Sequence, residues 1–286
     1  MSYYKVLGLD KEPFSTSPDP NFFYQSAEHK AALTNILIDI RLKRGLSIVL
    51  GEVGTGKTTL SRKLFQMVRW RPKINIYMIL DPSFDSEELF LQALARTFGL
   101  DITLAANILD LKEEIKRFLF RRASDQQEIV VLLIDEAQKL KSLSLEVLRT
   151  LLNYETNEFK LLQLVLLGQT ELIPRLTNTK NLMDRVSFKY NLGPLNEQET
   201  KAMINFRLAQ AGYLGLEPLF LEKTLKKIHE HTQGFPRRVA MLSHLALKYI
   251  VMNNKPFVDN KVIAQIIDTE AKLGWKNQDL LLKSSY

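Results

Sequence analysis

Short apolar runs alternate with segments of helical periodicity from about residue 29 to residue 194. Such runs predict strands that are buried on both faces, and apolar positions at every third or fourth residue predict amphipathic helices. Strands separated by helices favour parallel crossover connections, and therefore an α/β three-layer sandwich with a parallel central sheet. The predicted strands are Leu46–Leu50, Ile74–Leu80, Ile129–Ile134, Leu161–Leu167 and Ser187–Leu192.

Only helical periodicity is present after Pro194, which predicts a domain boundary at that point. We expect an α/β domain over residues 29–194, a small all-helical domain over 195–276 and a flexible tail over 277–286. Residues 1–28 are rich in proline and aromatic residues and predict an ordered lead-in that packs on the body of the protein. Ser26 can cap a helix that apolar positions continue to Ile40. The other predicted helices are Lys57–Val68, Glu87–Phe98, Ala106–Arg121, Leu143–Glu155, Thr200–Ala211, Leu219–Gln233, Pro236–Val251 and Asn260–Glu270.

Composition then limits the partners and the kinds of site that we expect for this chain. Lys and Arg number 39 and Asp and Glu 32, so the net charge of +7 favours an anionic partner. The chain has no Cys, which excludes disulfides, a Cys-ligated zinc site, an iron–sulfur cluster and a thiol nucleophile. No apolar run approaches the roughly 20 residues that cross a bilayer, and the N-terminus does not resemble a signal peptide. We therefore expect no membrane span and a cytoplasmic location.

The segment Gly51–Thr58 fits the pattern GxxxxGK[ST], follows a predicted strand and opens a predicted helix. Backbone N–H groups of such a loop surround phosphate oxygens at the positive end of the helix dipole. Lys57 would reach the β- and γ-phosphates, and the Thr58 hydroxyl would bind Mg²⁺. The pattern predicts a Mg-ATP site. The expected nucleotide contacts are Gly51, Val53, Gly54, Thr55, Gly56, Lys57, Thr58 and Thr59.

A second motif, Asp135-Glu136, ends the apolar strand that begins at Ile129. Unpaired carboxylates are costly to bury, so both belong at the carboxyl-terminal edge of the sheet, where ligands bind in such folds. We expect Asp135 to hold Mg²⁺ through water and Glu136 to polarise the attacking water as general base.

Three further polar residues are candidates for the same chemistry. Gln169 follows the fourth predicted strand and could orient the attacking water or sense the γ-phosphate, or could simply terminate the strand. Arg185 precedes the fifth strand, and Arg237 begins a helix of the second domain. Phosphoryl transfer gains from a cation supplied in cis or in trans, although a single Arg is more often a solvated surface charge.

These motifs, in this order, resemble those of the AAA+ ATPases, and within them the ExeA/GspA-like family. The related transposition ATPases of the TniB and TnsC types share much of the pattern, and the resemblance covers nearly the whole chain. The residues that carry it are Phe14, Ser17–Pro20, Phe22–Tyr24, Gly51–Thr59, Ile134–Leu140, Leu151–Thr156, Lys160–Gln163, Leu167–Leu172 and Gly234–Arg237.

The resemblance implies roles for the remaining candidates. Gln169 matches the sensor-1 position, Arg185 the arginine finger that acts in trans, and Arg237 sensor 2. The run after Arg237 departs from the family pattern, which leaves open whether Arg237 or Arg238 faces the phosphates. Residues 1–28 would wall the adenine pocket and the helical domain would act as a lid. Family members work as nucleotide-driven rings or filaments, with the site between neighbouring subunits.

The purpose of hydrolysis has two candidate explanations. The first is a switch ATPase that assembles on double-stranded DNA, as transposition regulators do. The second is an accessory ATPase for assembling a secretion or envelope machine through protein partners. Secretion-type members carry a transmembrane segment and a peptidoglycan-binding region after the ATPase, whereas this sequence stops at Tyr286. This difference favours a stand-alone cytosolic ATPase. The expected partners are double-stranded DNA and either a transposase or a protein of a secretion machine.

The distribution of charge supports that order. Residues 41–73 contain nine Lys or Arg and one acid, Glu52, and therefore carry nine minus one, or +8. Arg69–Lys73, together with Lys116-Arg117 and Arg121-Arg122, could meet DNA phosphates without reading the base sequence. The alternative is a solvated face that contacts acids of a neighbouring subunit.

Overall fold

The computed structural model describes residues 2–101, 107–215 and 217–272. These residues form two compact units. One unit is Pro18–Gly193, and the other combines the described residues up to Ser17 with those from Pro194 onward. The strands are β1 (Leu46–Gly51), β2 (Ile74–Ile79), β3 (Ile129–Ile134), β4 (Leu162–Gly168) and β5 (Val186–Leu192). The helices are α1 (Tyr3–Val6), α2 (Ala27–Arg41), α3 (Lys57–Val68), α4 (Glu87–Thr97), α5 (Ile108–Phe120), α6 (Ser142–Leu151), α7 (Leu172–Asn178), α8 (Glu197–Gln210), α9 (Glu222–Thr232), α10 (Pro236–Met252) and α11 (Asn260–Lys272).

The strands form one sheet in the order β2-β3-β4-β1-β5, and every pairing is parallel. Every residue of β1 and β4 is buried, because these strands lie inside the sheet and helices cover its faces. The edge strand β2 is half-buried along most of its length. The predicted α/β fold with a parallel central sheet is confirmed.

The register of the sheet decides which loops meet. Leu50 of β1 lies opposite Gly168 of β4, and Ile134 of β3 lies opposite Leu166. The loops that follow β1, β3 and β4 therefore share the carboxyl-terminal edge of the sheet. Val186, the first residue of β5, lies opposite Leu46, the first residue of β1. The segment before β5 is therefore at the opposite, amino-terminal edge.

The described residues of the segment 1–28, which we expected as one lead-in, are divided between the two units. Its first part packs in the helical unit, where the Tyr3 hydroxyl lies 2.9 Å from Nδ1 of His244 and the Asp10 amide donates to the carbonyl of Ala211. From Pro18 onward the segment belongs to the α/β unit. Residues 1–28 have a uniform composition, but the contacts of Tyr3 and Asp10 assign their first part to the helical unit.

Helix ends and short helices differ from the predictions. The helix predicted to reach Glu155 ends at Leu151, because the chain turns so that Glu155 can pair with Lys160 before β4. Helix α7 was not predicted. Helix α5 begins at Ile108 with Asn107 as its cap, so that the predicted start at Ala106 lies outside the described residues, as does the predicted tail.

In the helical unit, Gly234 closes the turn between α9 and α10. Its φ of +71° is in the left-handed region, and a Cβ there would lie 1.9 Å from the carbonyl oxygen of Leu195. The Gly234 carbonyl also accepts a hydrogen bond from the Leu195 amide. The close backbone approach excludes a side chain at this position. Across the described ranges, no helix combines the length and apolarity needed to span a membrane.

Candidate functional site

The loop between β1 and α3 has a backbone shaped by glycine. Gly54 and Gly56 have φ values of +87° and +100°, which a residue with a Cβ adopts only at a cost. A Cβ on Gly51 would lie 2.8 Å from the Thr55 hydroxyl. Helix α3 begins at Lys57, so the free N–H groups of its first turn are at the carboxyl-terminal edge of the sheet. The loop therefore presents backbone donors where a phosphate can bind.

Lys57 is the buried cation of this loop, with 7% of its surface exposed. Its Nζ donates to the carbonyl oxygens of Gly51 at 2.7 Å and Glu52 at 2.9 Å. Burial lowers the pKa of Lys57, and the nearby carboxylates of Glu136, Asp135, Glu171 and Glu52 oppose that effect. The ammonium group is thus held inside the loop and close to four carboxylates.

Asp135 is buried directly beside the first turn of α3. Burial raises the pKa of its carboxyl group, while hydrogen bonds from the Glu136 amide, Thr58 and Ser61 lower it. The Ser61 hydroxyl is 3.3 Å from Oδ2, and the Glu136 amide is 2.9 Å from Oδ1. A carboxylate and a hydroxyl at one point are hard oxygen ligands suited to Mg²⁺. The donor set of Thr58 and Asp135 therefore fits the predicted metal site.

Glu136 stands at the next position with a left-handed backbone, φ +51°. Its Oε2 accepts a hydrogen bond from Nε2 of Gln138 at 2.7 Å, and Oε1 of Gln138 accepts one from the Gln169 amide at 3.1 Å. Two predicted site residues are thereby joined by a third that the sequence did not single out. The sequence signal that could have identified Gln138 is its position two residues after Glu136. The three-ten turn Ala137–Lys139 folds Gln138 back toward β4.

His29 supports the loop from the side and was missed as well. It is buried, its Nδ1 lies 2.7 Å from the Ser26 hydroxyl, and its Nε2 lies 3.0 Å from the Thr55 carbonyl oxygen. A carbonyl only accepts, so Nε2 carries the proton. A Cβ on Gly56 would lie 3.0 Å from that nitrogen. The start of α2 is thus hydrogen-bonded to the predicted phosphate loop.

The structure places Arg185 away from this group. It precedes β5 at the amino-terminal edge of the sheet, level with Leu46, whereas the loop begins at Gly51, about 17 Å along β1 at about 3.3 Å per residue. Its guanidinium donates to the Asn181 carbonyl and to the Asn153 side chain. Arg185 therefore cannot reach a nucleotide bound to the loop of its own chain.

The second arginine candidate is in the helical unit. Arg237 is exposed at the start of α10, and its neighbour Arg238 packs its guanidinium 4.8 Å from the ring centroid of Phe235. The ring contact occupies Arg238 and leaves Arg237 as the more accessible of the two.

A phosphate-binding loop after β1, an Asp-Glu pair after β3 and a polar residue after β4, on a five-stranded parallel sheet, define a P-loop nucleotide-binding protein. Comparison with known families gives the same class. Residues 40–176 match the family model described as AAA domain. Over these residues, slightly less than half of the chain, the protein is therefore similar to an AAA domain.

A curated protein is similar to a longer part of the chain. The General secretion pathway protein A of Aeromonas hydrophila is 38% identical over 247 residues, covering 86% of this chain and 44% of that protein. The chain thus spans less than half the length of the curated relatives it matches, at 44% and 39%.

Solved structures show the fold. The Aeropyrum pernix ORC2 protein in its ADPNP–ADP complexes superposes with a TM-score of 0.64 at 15% identity, covering 91% of this chain and 71% of that one. The Drosophila ORC bound to DNA gives a TM-score of 0.68 at 15% identity, covering 92% and 65%. At this identity the likeness supports the fold and nothing finer.

Proposed function

We propose that this protein binds Mg-ATP and hydrolyses it, with Glu136 as the general base. The observation that carries the proposal is the meeting of four groups at one edge of the sheet: the glycine loop, Lys57, the Thr58–Asp135 pair and Glu136. Lys57 would exchange its carbonyl partners for phosphate oxygens. Gln169 follows β4 beside this group, and we assign it to orienting water or sensing the γ-phosphate.

Thr58 and Asp135 would hold the magnesium ion, the hydroxyl directly and the carboxylate through water. When bound, Mg²⁺ neutralises charge on the β- and γ-phosphate oxygens. The carboxylate of Glu136 would accept the proton of the attacking water. Gly51, Val53, Gly54, Thr55, Gly56 and Thr59 would supply the surrounding nucleotide contacts.

We further propose that hydrolysis takes place in an oligomer. The distance of Arg185 from its own loop supports a role at the nucleotide of a neighbouring subunit, because a cation there stabilises the transferring phosphoryl group. Because Arg237 is exposed, we assign the sensor-2 role to Arg237 rather than to Arg238. In such an assembly ATP would control contacts between subunits, and the protein would act as a nucleotide-driven switch.

The partner of this switch has two candidates, each with its own support. The relative from Aeromonas hydrophila, by its name, supports an accessory role in assembling a secretion machine through protein contacts. Duplex DNA is supported by a basic surface, defined here as Arg69, Trp70, Arg71 and Lys73. Trp70 is 79% exposed, and Arg69 lies over its ring, with the guanidinium carbon 4.5 Å from the ring centroid.

Ion pairing distinguishes this basic surface from three of the other cations that the sequence suggested. Among the described residues, none of its three cations pairs with a carboxylate. In contrast Lys116, Arg117 and Arg122 pair with Glu113, Glu114 and Glu128, respectively. These three paired cations therefore add little net positive charge, so the DNA hypothesis rests chiefly on the basic surface. Arg121 is the other sequence candidate that has no ion pair among the described residues.

Two measurements test the proposed function. Glu136→Gln should retain Mg-ATP binding and lose turnover by about 100-fold or more, since general-base catalysis contributes about 10²–10⁴-fold. Unchanged turnover would remove Glu136 as base.

Duplex DNA binding should weaken steeply between about 50 and 200 mM salt. The double variant Arg69→Gln, Arg71→Gln should reduce that salt slope by about two, whereas Lys116→Gln, Arg117→Gln serves as the matched control. No binding at low salt would leave the protein partner as the explanation.

A further inference from the structure

Gln138 connects the ends of two neighbouring strands. Its side-chain oxygen accepts from the Gln169 amide after β4, and its side-chain nitrogen donates to Glu136 after β3. The backbone amide of Gln169 can only donate, which fixes Oε1 toward β4. The NH₂ group must then face Glu136, where a carboxylate oxygen accepts it at 2.7 Å. Both ends of the amide are satisfied in only this orientation.

Gly168 makes room for this arrangement. A Cβ at residue 168 would lie 3.2 Å from both the backbone nitrogen and Oε1 of Gln138, and 3.2 Å from Leu172. Those contacts are tighter than ordinary packing, so any side chain at residue 168 would push Gln138 away from the end of β4. The glycine at residue 168 thus gives Gln138 the space it needs to bridge Glu136 and Gln169.

We propose that Gln138 is a positioning residue for hydrolysis. The inference rests on the proposed function, in which Glu136 is the base. The hydrogen bond from Gln138 takes Oε2 of Glu136 and leaves Oε1 for the attacking water. Because the same amide is anchored at Gln169, a movement of the β4 end at the γ-phosphate changes the orientation of the base. General-base catalysis depends on such orientation, and a displacement of about 1 Å can cost about 100-fold in rate.

Two substitutions separate the two ends of the bridge. Gln138→Glu keeps the size of the side chain and an acceptor for Gln169, but replaces the donor that faces Glu136 with a carboxylate. Gln138→Met keeps the length and removes both hydrogen bonds. We expect both variants to lower kcat about 10- to 100-fold. The Kd for Mg-ATP should stay within about three-fold, because Gln138 belongs to neither the loop nor the metal pair.

Gln163 offers a matched control. It is a buried glutamine whose side-chain amide also joins two groups, although both of these are backbone groups. It accepts from the Gly45 amide and donates to the Lys160 carbonyl, each at 2.8 Å, at the beginning of β4. Gln163→Met should lower the free energy of unfolding and leave kcat unchanged. A comparable fall in kcat for Gln163→Met would assign the effect at residue 138 to lost stability and overturn the inference.

Combining each change with Glu136→Gln decides whether Gln138 acts through Glu136. If it does, Gln138→Glu should lower kcat by less than about two-fold in the Glu136→Gln background, since the base is already absent. A full additional loss in that background, or unchanged or faster turnover of the single variants, overturns the inference. If Glu136→Gln itself retains wild-type turnover, the proposed function fails, which is a separate result.

Discussion

Replacing Lys57 with Met removes one charge from the phosphate loop and keeps most of the side chain. In the structure the ammonium group donates to two carbonyl oxygens, at 2.7 Å and 2.9 Å. With ATP bound, phosphate oxygens would take the place of those acceptors. A hydrogen bond to a charged group contributes about 1.5–3 kcal/mol, so two of them amount to about 3–6 kcal/mol. At 1.4 kcal/mol per decade, the affinity for Mg-ATP should fall by roughly 10²- to 10⁴-fold.

The nucleotide-free protein should tolerate the same change. Burial lowers the pKa of Lys57, so the folded protein holds that charge at a cost that Met does not have. Of the two carbonyls that lose a donor, that of Glu52 still accepts from the Thr55 hydroxyl at 2.8 Å. We expect the free energy of unfolding without nucleotide to change by less than about 1 kcal/mol.

Titration calorimetry with Mg-ATP and thermal unfolding with and without Mg-ATP check both parts. The variant should melt near the wild-type temperature alone and should lose the increase in melting temperature that ATP produces by mass action. Lys63→Met, on the same helix but outside the loop, is the control and should bind ATP normally. Affinity of Lys57→Met within about three-fold of wild type would refute the assignment of the phosphate loop.

Two further predictions concern the shared site and the metal pair. Arg185→Ala should bind ATP but lose at least about 100-fold in turnover, and mixing it with Glu136→Gln protein should restore part of the activity; intact assembly without restoration contradicts the trans role. Asp135→Asn should raise the free energy of unfolding of nucleotide-free protein at neutral pH. The raised pKa of Asp135 means that wild-type stability falls as pH rises from 3.8 through the folded-state pKa. Urea unfolding across that range checks this, and a pH-independent difference contradicts it.

Local sequence was sufficient for the elements of the nucleotide site. The loop Gly51–Thr58 and the pair Asp135-Glu136 are continuous stretches, and each follows an apolar strand. Parallel strands bring their carboxyl ends to one edge, so strand order along the chain already predicted that these motifs would meet. The bounds of α3 and β3 agreed with the predictions for the same reason, since periodicity is a local property.

Charge shows where local sequence was insufficient. Arg69–Lys73 was the chief candidate for DNA in sequence, and Lys116-Arg117 with Arg121-Arg122 was a further one. In the structure Lys116 and Arg117 are neutralised by acids three residues earlier on the same helix, and Arg69–Lys73 has no such partners among the described residues. Side-chain pairing, rather than the number of cations, decided which surface remained available to an anion.

By itself, the sequence determined the α/β fold, the phosphate loop and the carboxylate pair, because these depend on patterns within short stretches of chain. Tertiary structure alone decided that His29 supports Thr55, that Gln138 joins Glu136 to Gln169, and that Arg185 is at the far edge of the sheet. These relations join residues 26 and 31 positions apart, or follow from the register of β1 with β5. Hydrogen bonds between distant residues leave no periodic signal, so only the folded chain reveals them.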